Sequence, residues 1–341
     1  MSFPLIAVVG PTGSGKSCLA LELAKRFSGE IVGCDSVQIY KEFNIGTAKL
    51  TELQRGQVPH HLIDLVEPDQ LFTAGDYGRF GRKIIEDISR RNRLPIIAGG
   101  TGLYLRALLE GLFEGPQRSE GLREKLRNLA AQKGSAHLHR VLKKVDPPSA
   151  LRISPNDIPK LIRALEVFFL TSKPLSQHLR VGTEPLKGYV ILKIGLNPPR
   201  KLLYQAIDLR VEQMFNAGLV KEVQSLLARG YSSQLKPFQS LGYAQTAAHL
   251  RGEFNLEKAI SSTQRETRHY AKRQMTWFRK EKEVLWFNDF GSDTTIQSSV
   301  FHHVTDCFKM ALDKFEETRS YMSIERNRRE EDNHGAEANV E

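Results

Sequence analysis

The stretch Leu5-Ile6-Ala7-Val8-Val9-Gly10-Pro11-Thr12-Gly13-Ser14-Gly15-Lys16-Ser17 decides how the chain folds. Its first five residues are a short continuous apolar run, the pattern of a strand buried on both faces. The glycine-rich part fits G-x-x-x-x-G-K-[ST], and residues 18–27 follow with Leu19, Leu23 and Phe27 at helical spacing. Strand, glycine loop and helix in that order are the context that makes the pattern a phosphate-binding P-loop, the motif of nucleotide-binding and ATP-binding proteins. The glycines let backbone N–H groups curl around phosphate oxygens, and the following helix N-terminus adds a positive dipole. Lys16 supplies a point charge, and the Ser17 hydroxyl is the candidate magnesium ligand. A Rossmann reading fails, because Gly13-Ser14-Gly15 runs on into Lys16-Ser17-Cys18 without a third glycine in place.

Working outward, a second apolar run at residues 30–34 ends at Asp35-Ser36. A third at 94–98 runs into Gly99-Gly100-Thr101-Gly102 and a helical stretch at 103–109. Residues 189–196 and 284–287 can supply two more strands, giving about five. Strands alternating with helices predict an α/β fold with a parallel sheet flanked by helices. Residues 119–185, rich in Lys, Arg and Leu at helical spacing, read as a helical insertion domain. The P-loop core then spans 1–118 and resumes over 186–320, largely helical with the remaining strands. Residues 321–341 lose their apolar period and read as a disordered tail.

Composition narrows the class. Of 341 residues, 49 are Lys or Arg against 39 Asp or Glu, a net charge of +10, and 40% are hydrophobic. That excludes a disordered, collagenous or coiled-coil chain. No apolar run approaches the roughly twenty residues that span a bilayer, and residues 1–10 lack a signal peptide's basic flank and cleavage site. Cys18, Cys34 and Cys307 are far apart, with no C-x-x-C spacing. Together these predict a reduced, cytoplasmic protein with no membrane partner, and a monomer is the default.

Asp35 follows the second strand directly, where an open parallel sheet presents its ligands. A carboxylate there can assist a magnesium ion, act as a general base, or merely cap a turn. No apolar strand ends in a separate metal-binding acid, which weakens motor-ATPase and switch-GTPase readings. The glycines at 99–102 form a second strand-to-helix loop able to offer backbone donors and the Thr101 hydroxyl to an anion. His60-His61 lack a third ligand and read as structural histidines rather than a metal site. Arg265, Arg268, Lys272, Arg273, Arg279 and Lys280 interleave with Tyr270, Trp277 and Phe278, the footprint of a surface that meets a nucleic-acid backbone and splayed bases.

Taken together, these residues carry a family resemblance. To the P-loop the chain adds Asp35-Ser36-Val37-Gln38-Ile39-Tyr40, Asn44-Ile45-Gly46-Thr47-Ala48-Lys49 and His60-His61-Leu62-Ile63-Asp64. Further along come Phe72-Thr73-Ala74-Gly75-Asp76-Tyr77, Gly99-Gly100-Thr101-Gly102-Leu103-Tyr104, Ile162-Arg163-Ala164-Leu165-Glu166-Val167 and Thr267-Arg268-His269-Tyr270-Ala271-Lys272-Arg273-Gln274. The set, colinear from about residue 4 to 290, resembles the bacterial tRNA dimethylallyltransferases, whose fold is similar to P-loop kinases.

The resemblance implies that the P-loop, Gly10, Pro11, Thr12, Gly13, Ser14, Gly15, Lys16 and Ser17, holds dimethylallyl pyrophosphate. It implies transfer of the dimethylallyl group to the exocyclic amine of adenosine 37, next to the anticodon, in tRNAs reading codons that begin with U. Asp35 is then the base or acceptor for that amine. Lys16, Thr101, Arg210 and magnesium on Ser17 serve the pyrophosphate, and the flipped adenine is read around Asp35, Ser36, Val37, Gln38 and Thr101. Arg123, Pro159, Lys160, Leu161, Ile162 and Arg163, with Ser240, Leu241, Gly242, Tyr243, Ala244 and Gln245, match positions that contact the tRNA anticodon stem-loop in the family. Lys160 stands where the family usually has Arg, and Gly242-Tyr243-Ala244-Gln245 replaces the usual Gly-Tyr-Lys-Glu. An Arg-to-Lys change loses bidentate geometry. The zinc finger of the eukaryotic relatives is absent. The rival readings are a small-molecule kinase using ATP on the same loop and an isopentenyltransferase acting on free adenine nucleotides. The distributed basic surface favours tRNA over both.

Overall fold

In a computed structural model, which describes residues 2–113, 115–181 and 183–309, the strands are β1 (Phe3–Val9), β2 (Gly29–Cys34), β3 (His60–His61), β4 (Leu94–Gly99), β5 (Tyr189–Leu196) and β6 (Val284–Phe287). They form one parallel sheet in the order β3-β2-β4-β1-β5-β6. The expected P-loop α/β fold is borne out, with one strand more than the five read from the sequence.

The extra strand is β3, which pairs His60 with Ile31 and His61 with Val32. Two histidines carry no apolar period, so hydrophobic patterning cannot reveal such a strand. Local polar bonds hold it. Ile31 N donates to Pro59 O at 2.9 Å, His60 Nδ1 lies 2.7 Å from Val58 O, and His61 Nε2 lies 2.8 Å from the buried Glu30.

The sheet's register decides where the chemistry can sit. Val8 lies opposite Ala98, and Ala98 opposite Gly33. The next residues, Val9, Gly99 and Cys34, are therefore level, and the chain leaves three adjacent strands at Gly10, Gly100 and Asp35. One face is covered by the helix Lys16–Arg26 and by residues 294–309. They bury Leu19, Leu23, Val300, Val304 and Phe308 with Ile6, Ile31, Ile96 and Ile194. The helix Ala74–Arg90 buries Tyr77, Ile85 and Ile88. Its start explains the Phe72–Tyr77 motif: Thr73 and Asp76 form a capping box, which satisfies two otherwise orphaned backbone donors. On the same helix Gly78 abuts Ala107 O, 2.8 Å from where a Cβ would stand, and Gly81 abuts Leu108.

Residues 109–186 form a separate compact unit. It begins ahead of the expected residue 119, because the outgoing and returning segments pair with each other: Leu186 N donates to Leu109 O at 2.8 Å. The unit is helical, with Leu126, Leu138, Leu142, Leu161 and Leu165 in its core. Across that core runs a polar tie. Glu166 is fully buried and accepts from Arg123 Nε and Nη2, each at 2.7 Å, from Arg163 Nη1 at 2.7 Å and from Ser119 N at 2.9 Å. Burial alone would raise the Glu166 carboxyl, but the two guanidiniums and the backbone donor outweigh it and hold the group down at about 2. The expected tail, 321–341, lies outside the described residues.

Glu166→Gln should lower stability by about 3 kcal/mol at neutral pH, the low end for breaking a buried ion pair because both arginines are partly exposed. A carboxyl held below its unfolded value stabilises above that value and stops doing so as pH falls through its folded one. The gap between wild type and variant, read by urea titration with circular dichroism, should therefore be full at pH 6 and close between about pH 4.5 and 2.

Candidate active site

The P-loop, the turn after β2 and the glycine loop after β4 stand side by side because their strands are neighbours and end level. Gly13 (φ 81°) and Gly15 (φ 84°) occupy the left-handed region that side chains with a Cβ adopt at a cost. Gly15 has a second reason: a Cβ there would stand 2.8 Å from Gly291 N, which itself donates to Ser14 O at 2.9 Å. The chain after β6 is thus tied to the back of the P-loop.

Lys16 opens the helix Lys16–Arg26 and curls over the loop, donating to Pro11 O at 2.6 Å. Desolvation pushes its ammonium down to about 7, the neighbouring Arg210 guanidinium pushes the same way, and the Asp35 carboxylate opposes both. Arg210, from the helix Arg200–Asn216, reaches Thr12 Oγ1 at 3.4 Å and is likewise lowered by burial, with Asp35 again opposing. Two partly desolvated cations beside one carboxylate make a place suited to a strongly anionic group, which would favour the charged form of Lys16 and pair with Arg210.

Asp35 does cap its turn: Oδ1 accepts from Val37 N at 2.8 Å and Gln38 N at 3.1 Å. The cap fixes the carboxylate rather than consuming it, since one oxygen takes both bonds. Thr101 Oγ1 accepts from Ser36 N at 3.2 Å and Thr101 N donates to Cys34 O at 3.2 Å, which binds the second glycine loop to the Asp35 turn. Gln38 Nε2 donates to Thr47 O at 2.9 Å. Burial pushes the Cys34 thiol up to about 12, too high for a thiolate nucleophile near neutrality. A cleft of about 750 Å³ opens beside Arg210, lined among others by Asn44, Lys49, Asp64 and Met214.

Sequence reasoning gave no role to Gln274. It is 6% exposed on the helix Leu256–Phe278, and its Oε1 accepts from Thr12 N at 2.7 Å while its Nε2 donates to Gly100 O at 2.9 Å. The hydroxyl of the half-buried Tyr270 lies near the Thr101 and Gln274 side chains. The signal was present: Ala271, Gln274 and Phe278 share the buried face, and a buried amide requires partners.

Lys16, Asp35, Thr101 and Arg210 are thus brought to one sheet edge. The positions matched to tRNA contacts divide. Pro159 and Lys160 are exposed, with Lys160 paired to Asp157 at 2.6 Å, while Arg123 and Arg163 are engaged with Glu166. Leu161, Ile162 and Tyr243 have buried side chains. Tyr243 donates to Glu222 at 2.5 Å and accepts from Gly46 N at 3.2 Å. A Cβ on Gly46 would stand 2.4 Å from the Tyr243 ring, so the Asn44–Lys49 motif is partly a packing motif. Ser240 bonds Pro237 O, and Gln245 caps Gly242 N at 2.9 Å. Leu241 and Ala244 are half-buried. On the basic helix Arg268 pairs with Asp208, while Lys272 and Arg273, and Arg279 and Lys280 just past its end, are exposed.

A family model described as IPP transferase matches residues 38–281, and one described as isopentenyl transferase matches residues 3–59. The chain belongs to the IPP transferase family. A tRNA dimethylallyltransferase of Solibacter usitatus is 54% identical over 301 residues, covering 88% of this chain and 98% of its own. One of Koribacter versatilis is 52% identical, covering 87% and 96%. Among solved structures, a full-length tRNA isopentenylpyrophosphate transferase of Bacillus halodurans aligns with a TM-score of 0.66 at 36% identity, covering 93% and 99%. A eukaryotic dimethylallyltransferase acting on tRNA aligns with a TM-score of 0.73 at 27% identity, covering 86% and 75%. The resemblance read from the motifs is therefore borne out for this IPP transferase family chain.

Because Lys16 is held below its unfolded value of 10.5 by burial, charging it opposes folding below about pH 7, and the penalty disappears as pH rises from 7 to 10.5. Lys16→Met should therefore stabilise the ligand-free protein at pH 6, by up to about 5 kcal/mol. The gain should fade by pH 10.5 in paired denaturant titrations, and pyrophosphate binding should be lost at every pH.

Proposed function

We propose that the chain is a tRNA dimethylallyltransferase. It moves the dimethylallyl group of dimethylallyl pyrophosphate to the exocyclic amine of adenosine 37, in tRNAs reading codons that begin with U, and releases pyrophosphate. The observation that carries this reading is the level placement of Asp35 with two glycine loops on adjacent strands, beside Lys16 and Arg210, in a chain of the IPP transferase family. A carboxylate beside an anion cradle suits a reaction in which one partner loses a proton and the other loses a pyrophosphate.

In that reaction a C–N bond forms from the amine to the first carbon of the dimethylallyl group as the C–O bond to pyrophosphate breaks. Asp35 accepts the proton the amine gives up, held in place by the Val37 and Gln38 N–H groups. Negative charge grows on the departing oxygen, and preorganised donors aimed there lower the barrier. Lys16, Arg210, the P-loop N–H groups and Thr101 are those donors. The base is reached only after it leaves its stack, the usual requirement for chemistry on a nucleobase.

The residues present fit a magnesium ion of the kind that travels with phosphates. Among the described residues no group of three or more His, Cys, Asp or Glu could hold a metal alone. Magnesium, however, keeps several waters and binds through few protein oxygens plus substrate phosphates. Ser17, exposed at the start of the P-loop helix, would hold it, and when bound it would neutralise charge developing on the pyrophosphate.

The exposed Lys272, Arg273, Arg279 and Lys280, with Pro159 and Lys160 on the helical unit, support a tRNA acceptor over a small one, because phosphate-backbone contacts dominate such affinity. Among the described residues no helix is long and apolar enough to cross a membrane, and a cytoplasmic monomer meeting the anticodon stem-loop fits the reading. The test is mass spectrometry of an unmodified anticodon stem-loop after incubation with protein, magnesium and dimethylallyl pyrophosphate. One dimethylallyl group on the adenosine 3′ of the anticodon is expected; no gain by a folded sample overturns the proposal. Asp35→Ala should lower turnover by about 10²–10⁴, the usual contribution of a general base. RNA affinity, read by filter binding, should stay within about twofold, because the carboxylate serves the transition state rather than docking.

A further inference from the structure

The two glycine loops are not merely neighbours; one side chain from a distant helix joins them. Gln274 takes the Thr12 N–H on its oxygen and gives its amide hydrogen to Gly100 O. Thr12 is in the middle of the P-loop, and Gly100 directly precedes Thr101. Both bonds are short, the amide is buried, and acceptor and donor face opposite loops, so the geometry fixes which amide atom points where. The space is also spoken for. A Cβ on Gly100 would stand 2.1 Å from Gln274 Nε2, and a Cβ on Gly102 would stand 2.2 Å from Trp277 Nε1 of the same helix. Gly100 and Gly102 of the second loop are thus explained by how closely this helix approaches. Tyr270, one turn before Gln274, lies near the Thr101 and Gln274 side chains, so the same helix also borders the side chain expected to face the leaving group.

We propose that Gln274 is a positioning residue for the pyrophosphate: it sets the separation of the P-loop and the Gly99–Gly102 turn so that donors from both converge on one anion. The inference rests on the reading of this site as a prenyl-pyrophosphate site. Gln274 touches neither reacting partner; it acts through Thr12, Gly100 and Thr101. Removing its two bonds lets the loops drift apart, and a displacement of an ångström or so is enough to cost about 10²-fold in rate. The helix that carries it also displays Lys272 and Arg273 on its exposed side, so RNA docking and loop spacing share one rigid element.

The test separates positioning from packing. Gln274→Met keeps length and volume but loses both bonds. Gly100→Ala leaves the amide in place and drives it off Gly100 O. Affinity for magnesium pyrophosphate is measured by calorimetry, without turnover, for wild type, each variant and the double variant. RNA affinity and single-turnover prenyl transfer are measured beside it. Each single variant should weaken pyrophosphate binding at least tenfold and slow transfer about a hundredfold, with stem-loop affinity within twofold of wild type. The double variant should be no worse than the more impaired single, because both break the same tie. A folded Gln274→Met protein that binds pyrophosphate as wild type does overturns the proposal, as does full additivity in the double variant. If wild type binds pyrophosphate but transfers nothing to RNA, the prenyl-transfer reading fails, while the affinities still decide the role of Gln274.

Discussion

The register of three parallel strands governs everything else in this molecule. With β2, β4 and β1 adjacent and their last residues level, the chain leaves the sheet at the same height three times. It does so once as an acid, once as a glycine turn and once as a P-loop. A slip of one residue in any of these ladders would turn the strand's side chains to the opposite face and carry its loop out of line. The continuous apolar character of the strands, buried by helices on the sheet, is therefore what aims Asp35 at Lys16.

Given that alignment, electrostatics supply the site's purpose. Lys16 and Arg210 are both partly desolvated, the Arg210 guanidinium makes the charge of Lys16 less welcome still, and the Asp35 carboxylate opposes the shift of each. Such an arrangement costs stability without a ligand and is restored by a multiply charged anion, the pattern expected where binding rather than folding is being served. The helical unit shows the contrary case. There Arg123 and Arg163 are fully answered by Glu166, and the charges serve the fold.

Much of this was legible in the residues. The apolar runs announced five strands, and the P-loop pattern announced the helix that follows it, because both rest on local patterns of period and glycine placement. The two-residue β3 was not legible, since a pair of histidines held by Glu30 and a backbone carbonyl carries no period. Nor was the division of labour among the positions matched to tRNA contacts. Tyr243 looks like a surface reader in a motif, and only its distance to Glu222 and Gly46 reveals a buried tie. Gln274 was quoted within a motif, yet its partners lie 262 and 174 residues away. Long-range polar pairs of this sort leave no trace in local spacing. The glycines at 100 and 102 have a double explanation for the same reason, one in anion binding and one in the helix packed against them.

The central claim is that this P-loop serves a prenyl pyrophosphate and not a nucleotide triphosphate. Calorimetric titration of the protein with dimethylallyl pyrophosphate and, separately, with ATP, both with magnesium, tests it most directly. The account predicts saturable binding of dimethylallyl pyrophosphate, competed by inorganic pyrophosphate, with ATP at least tenfold weaker. Tight ATP binding with no response to dimethylallyl pyrophosphate would contradict it and return the site to the kinases its loop resembles.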